Sequence, residues 1–167
     1  LSGSASGYEV NKNAIALLIA KDKAGKTVGT GSGFVAHPEG ILVTNYHVLV
    51  DALTIDVHFP DGSHTDVEGI FKVDRARDFA ILKLKEGFYS TLEIGDSSSV
   101  KPYDYTSALG YPSAQVMQQK DMVDGQLVQT YGFVLGIHSQ AHPKIPFIYT
   151  TPPFGPGFSG GPVVNSS

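Results

Sequence analysis

The clearest periodic signal lies between residues 53 and 59, where Leu53, Ile55, Val57 and Phe59 alternate with Thr54, Asp56 and His58. A period of two puts the four apolar side chains on one face of a β-strand, toward a core, and the three polar ones toward water. Pro60-Asp61-Gly62 follows as a turn signal and predicts a hairpin. Upstream, Ala14–Ala20 is an unbroken apolar run, the pattern of a strand covered on both faces. Val28–Ala36 reads as a strand bent by its glycines, and Ile41–Thr44 as a short β-branched strand. Val67–Val73 and Phe79–Leu84 complete six strand candidates, a spacing that predicts a small closed barrel.

The second half continues the pattern more thinly. Strand candidates fall at Tyr105–Leu109, Leu127–Ile137, Phe147–Thr150 and Pro162–Val164. Leu92–Lys101 is polar and Ser-rich, as a connector would be, and Ser113–Asp124 lacks a β pattern and reads as a loop or a short helix. The expected organisation is a flexible leader over 1–7, a first β-barrel over 8–90, a connector over 91–104 and a second barrel over 105–167.

Composition sharpens this all-β reading. Apolar residues make up 41% of the 167 and charged residues 17%, which excludes a disordered chain. The 19 glycines and 10 prolines fit many short strands and turns. The net charge is −4 and the only arginines are Arg75 and Arg77, so no basic patch offers itself to nucleic acid. With no cysteine, disulfide scaffolds, CxxC redox sites and thiolate zinc sites are excluded. No apolar run approaches the roughly 20 residues that span a membrane as a helix. The chain begins at Leu1 with no visible signal peptide, which reads as a processed or excised form.

Candidate chemistry concentrates in Gly157-Phe158-Ser159-Gly160-Gly161-Pro162. A serine among glycines can sit on a tight turn with its hydroxyl exposed and backbone N–H groups free, although a flexible Gly-Ser loop has the same spelling. A serine nucleophile needs a base. In a nucleophile elbow of an α/β-hydrolase, the acid and the histidine follow the serine. Only eight residues follow Ser159, none of them His, Asp or Glu, so the partners must lie upstream.

Of the six histidines, His58 points outward from a strand and His37 and His64 fall in turns, positions typical of solvated side chains. His138 and His142 are four apart, but in a strand-like and then Pro-containing segment that does not present one helix face to a metal. His47 stands where Ile41–Thr44 gives way to Val48-Leu49-Val50, a rigid platform for a base; a half-buried structural role is the alternative. Asp78 precedes the apolar strand Phe79–Leu82 and can accept from an imidazole N–H. Its alternative is a strand cap paired with Arg75 or Arg77, and Asp74 is its rival as the acid.

Taken together, Thr44-Asn45-Tyr46-His47-Val48, Arg77-Asp78-Phe79-Ala80-Ile81-Leu82-Lys83 and Pro156-Gly157-Phe158-Ser159-Gly160-Gly161-Pro162 resemble the trypsin-like serine peptidases, most closely the bacterial HtrA/Deg branch. The His, Asp, Ser order agrees, as do the spacings of 31 and 81 residues. Gly31-Ser32-Gly33-Phe34, Ile94-Gly95-Asp96-Ser97, Leu109-Gly110-Tyr111-Pro112 and Tyr149-Thr150-Thr151 agree as well, so the likeness runs over about residues 10 to 165.

The resemblance implies two antiparallel β-barrels with the site in the cleft between them. It implies His47 as base, Asp78 as its orienting acid, Ser159 as nucleophile, and the N–H groups of Gly157 and Ser159 as an oxyanion hole. It implies peptide-bond hydrolysis in HtrA-like quality control or regulated proteolysis, polypeptide substrates, an extracytoplasmic location and no cofactor or metal. A homo-oligomer is compatible with it. The trypsin position that carries an acid for Lys or Arg substrates is here Pro153, followed by Phe154, which implies apolar P1 residues with Phe154 in substrate binding.

Three departures from the family pattern are visible. The second barrel is incomplete at the C-terminal end, so full activity is expected of a longer protein. Ser113–Asp124 looks longer than the corresponding HtrA loop. Phe158 stands where that branch commonly has Asn, which raises the prospect of a serine turn held inactive and of a protease-like module that binds peptides without efficient cleavage.

Overall fold

The structure is a computed structural model that describes residues 10–113, 125–139 and 146–165. Among the described residues ten strands follow in chain order: β1 (Ile15–Lys21), β2 (Thr27–His37), β3 (Ile41–Thr44), β4 (Thr54–His58), β5 (His64–Asp74), β6 (Phe79–Leu84), β7 (Tyr105–Gly110), β8 (Val128–Ser139), β9 (Pro146–Thr150) and β10 (Val163–Asn165). The first six close into an antiparallel barrel in the order β1-β2-β3-β6-β5-β4, as the six apolar segments predict. The last four form a sheet in the order β10-β7-β8-β9. The protein has the all-β trypsin-like fold. Among the described residues, no helix is long and apolar enough to cross a membrane.

Alternation fills the barrel. Ile55 and Val57 point inward from β4, while Thr54 lies exposed. Leu53 breaks the expected pattern, for it is 70% exposed. The ladder with β1 begins only at Thr54, opposite Lys21, so Leu53 precedes the strand and its side chain escapes the pleat.

The run at Ala14–Ala20 is buried on both faces, and the structure shows why. Ala16 and Leu18 enter the barrel core with Val35, Leu42, Leu82 and Leu84. Ile15, on the opposite face, packs with Leu109, Tyr111 and Leu92 in a second apolar cluster that joins the barrel to the sheet. β1 is thus sandwiched between two cores. Each fully buried leucine of this kind contributes roughly 1.5–3 kcal/mol of transfer free energy.

Register shifts leave an extra residue in β2 at two places, Val28 between Thr27 and Gly29 opposite β1, and Ala36 between Val35 and His37 opposite β3. In the sheet, β8 buries Val134 but exposes Tyr131, Phe133, Leu135 and Ile137 on alternate positions. The connector contains a short 3₁₀ turn at Ser97–Ser99, whose preceding Asp96 accepts from Ser98 N.

Tyr111 couples the two halves. Its hydroxyl donates to Ile15 O at 3.2 Å. Burial, reinforced by the charge of Asp61, pushes the phenol up to about 12. A folded-state value above the ordinary 10.0 stabilises the fold below about pH 10, and that contribution is lost as pH rises toward 12. Two units correspond to roughly 2–3 kcal/mol. The expected outcome is a stability difference between wild type and Tyr111→Phe that shrinks between pH 10 and 12 in denaturant titrations. Parallel pH profiles for the two proteins would contradict it.

Candidate active site

His47 owes its position to β3. After Thr44 the chain enters a 3₁₀ turn over Tyr46–Leu49, whose Val48 and Leu49 are buried and anchor it to the barrel core. His47 lies between them and Asn45 and is left facing solvent. Strand β6 runs beside β3 with Thr44 opposite Ala80, so the entry to β6 abuts the exit of β3. This neighbour relation brings together residues 31 apart in sequence: His47 Nδ1 and Asp78 Oδ2 lie 2.6 Å apart.

Asp78 is held on every side. Its Oδ1 accepts from His47 N at 2.9 Å, and its carbonyl accepts from Tyr46 N at 3.2 Å and from Asn45 Nδ2 at 2.6 Å. These bonds sustain a left-handed backbone, φ +52, which costs a non-glycine residue on the order of 1–2 kcal/mol. Aspartate tolerates that region better than most, and such outliers gather at functional sites.

The competing partners are occupied elsewhere. Arg77 donates to Asp74 through its N–H at 3.0 Å and its guanidinium at 3.2 Å. The Arg75 guanidinium lies 5.2 Å from the Tyr46 ring centroid, in cation–π geometry. Among the described residues Asp78 thus pairs with neither arginine, and Asp74 holds Arg77.

The Ser159 turn docks against the barrel through its backbone. Ser159 O accepts from Ser32 N at 2.8 Å. Gly160 has φ +84, and a Cβ there would stand 2.2 Å from both Ser32 O and Thr44 Oγ1, and 2.9 Å from Asn45 N. Only glycine permits this approach, two residues from His47. At Gly31 a Cβ would meet Val48 Cγ2 at 2.6 Å and Ser159 O at 3.2 Å, so β2 also lies flush against both the histidine turn and the serine turn.

Gly157 is likewise left-handed, φ +95, and presses on the backbone of Tyr111 and Ser113. Pro156 O accepts from Ser113 N at 3.0 Å, and Phe158 O from Gly161 N at 2.8 Å. In a trans peptide the N–H points opposite to the C=O. Pinning these two carbonyls therefore aims the N–H groups of Gly157 and Ser159 away from the anchoring donors. Neither finds an acceptor among the described residues. Phe158 is buried, its ring against Gly110. Among the described residues, no hydrogen bond joins the Ser159 hydroxyl to His47.

The remaining sequence candidates are placed as follows. Phe154 is 63% exposed, and Pro153 is exposed beside it. His58 and His64 stack across β4 and β5, and His138 meets Tyr149 edge-on. His142, like most of the Ser113–Asp124 segment, lies outside the described residues. Among the described residues no grouping of three or more His, Asp or Glu could hold a metal ion. Sequence reasoning noted the Gly31-Ser32-Gly33 motif but missed the hydrogen bonds that tie Ser32 to the serine turn. The signal was a small polar residue at an inward strand position.

The fold agrees with what known proteins show. A relative named "Serine protease HTRA1" from Xenopus laevis is 32% identical over 139 residues, 81% of this chain and 29% of its own. A "Probable periplasmic serine endoprotease DegP-like" from Pseudomonas fluorescens is 30% identical over 144 residues, 86% of this chain and 28% of its own. A solved structure titled "HtrA-type protease AlgW with tripeptide" superposes with a TM-score of 0.77 at 27% identity, covering 92% of this chain and 48% of that one. The chain thus spans less than a third of the length of these two curated relatives. The family described as "Trypsin-like peptidase domain" matches residues 31–167, and the chain belongs to it, with HtrA-type serine proteases as its relatives.

Proposed function

We propose that the protein is a serine endopeptidase acting through an acyl-enzyme, with His47, Asp78 and Ser159 as catalytic residues. The observation that carries this reading is the 2.6 Å contact between His47 Nδ1 and Asp78 Oδ2 beside a serine turn docked on the same barrel. Asp78 holds the imidazole in the tautomer that leaves Nε2 free to accept a proton. As Ser159 Oγ attacks a peptide carbonyl, its proton passes to His47, and the carbonyl oxygen gathers negative charge. The N–H groups of Gly157 and Ser159, which lack protein acceptors among the described residues, stabilise that oxygen. His47 then protonates the leaving amine, and the C–N bond breaks to leave an ester on Ser159. Water, deprotonated by His47, attacks the ester, releases the acid and restores the serine.

The absent Ser159–His47 hydrogen bond is the observation that favours the second reading, a peptide-binding module with impaired cleavage. Contacts of this kind are often long without substrate and tighten on binding. Pre-steady-state hydrolysis of an activated ester by the intact protein separates the two. A burst equal to the enzyme concentration followed by slower turnover is expected of the peptidase. Peptide binding with no burst favours the module.

Specificity and setting extend the proposal. No carboxylate stands at Pro153 to meet a buried cation, and burying one unpaired is costly. Exposed Phe154 next to it supplies apolar surface for the substrate. Peptides with Val, Leu or Ala at P1 are expected to be cleaved about tenfold faster, in kcat/KM, than peptides with Lys or Arg. A strict Lys/Arg preference in a peptide library would contradict this. The relative named as a periplasmic endoprotease supports an extracytoplasmic location and polypeptide substrates, and the role we propose is quality control or regulated proteolysis.

A further inference from the structure

Ser32 is fully buried on β2 and makes four hydrogen bonds to four other places in the chain. Its N–H donates to Ser159 O at 2.8 Å, and its C=O accepts from Thr44 Oγ1 at 2.7 Å. Its hydroxyl accepts from Tyr111 N at 2.9 Å and donates to Gly157 O at 2.7 Å. The polarity of this hydroxyl is forced. The Tyr111 N–H is able only to donate, so it takes an Oγ lone pair, and the single hydroxyl proton goes to the Gly157 carbonyl.

Four consecutive peptide planes run from Pro156 to Gly160. Ser113 N fixes the first through Pro156 O, and Gly161 N fixes the third through Phe158 O. The second and fourth are held by Ser32, through Gly157 O and Ser159 O. No other residue of the barrel strands bonds to these carbonyls among the described residues.

The geometry points to Ser32 as a positioning residue for the serine chemistry, an inference that rests on the reading of Ser159 as nucleophile. Because each peptide is planar, anchoring Gly157 O and Ser159 O fixes the two planes that flank the Phe158–Ser159 peptide, the plane that carries the Ser159 N–H and that Gly161 N holds through Phe158 O. The same residue ties Thr44, the last residue before the His47 turn, to the serine turn. Ser32 touches no reacting atom. It sets the distance between base and nucleophile and braces the peptides on either side of the one that carries the Ser159 N–H, where about 1 Å of misplacement costs on the order of 100-fold in rate.

The test uses the intact protein with Ser32→Ala and Ser32→Cys, assayed well below each variant's melting temperature. Ser32→Ala leaves the Gly157 carbonyl and the Tyr111 N–H without their partner. The expected result is a fall in kcat of roughly 10- to 100-fold with KM within about twofold. A peptidyl boronate, which forms a tetrahedral adduct with the nucleophile, weakens in parallel with kcat, while a cleaved-product peptide binds as before. Ser32→Cys, a weaker donor, falls between serine and alanine, and it carries the comparison if the alanine variant does not fold. Wild-type kcat and boronate affinity in a folded variant would overturn the inference and leave the Ser159 reading standing. Failure of the wild type to form any boronate adduct or cleave any peptide would overturn both.

Discussion

Replacing His47 by alanine is expected to lower kcat by a factor on the order of 10⁶, and Ser159→Ala by as much, because each removes a member of a unit that acts together. The double variant should be no worse than either single one. Asp78→Asn is the more discriminating change. It keeps the shape of the side chain that now accepts from His47 N at 2.9 Å and contacts Nδ1 at 2.6 Å. An amide is able to donate to the imidazole, so it stabilises the tautomer whose Nε2 carries the proton, and kcat should fall by about 10⁴ while the protein stays folded. The check is steady-state kinetics alongside thermal melts. Independent, additive losses for His47 and Ser159 would mean that the two do not share one step.

Gly160→Val should be among the most damaging substitutions outside the triad. A Cβ at this position would lie 2.2 Å from Ser32 O and from Thr44 Oγ1, with φ at +84. The left-handed backbone costs about 1–2 kcal/mol for a residue with a Cβ, and overpacking typically adds 1–3 kcal/mol. At a few degrees per kcal/mol for a domain of this size, the melting temperature should drop by roughly 10 °C. Activity should fall further than stability, because relief of the clash moves the serine turn off the barrel. Gly25→Ala is the control: φ is +74 there, but nothing lies within 4 Å of the added Cβ. It pays the backbone cost alone and leaves kcat unchanged. Equal effects of the two substitutions on kcat would show that the close approach of Gly160 is immaterial to the site.

The barrel was legible because its strands carry their own instructions. The alternation at 53–59, the β-branched Ile41–Thr44 and the apolar Phe79–Leu84 each placed a strand with little help from the rest of the chain. Leu53 shows the limit: alternation says which face a residue takes within a strand, but the partner ladder decides where the strand begins. Asp78 and His47 were legible as residues at strand ends, yet nothing local says that β3 and β6 are neighbours. That follows from barrel closure, a long-range property. The same reason hid Ser32. Read locally it is a small polar residue between glycines, and its significance lies entirely in Tyr111, Gly157 and Ser159, all from the far half of the chain. The sheet pairings of β7 with β8 and β10 were equally invisible to pattern alone, although the strands themselves were not.

The most direct measurement is the site of modification by a fluorophosphonate, mapped by mass spectrometry on the intact protein. The expected result is one adduct, on Ser159, formed at a rate that collapses in His47→Ala and falls in Asp78→Asn. An adduct on another residue, or labelling of Ser159 that is indifferent to His47, would contradict the proposal that these side chains form one catalytic unit.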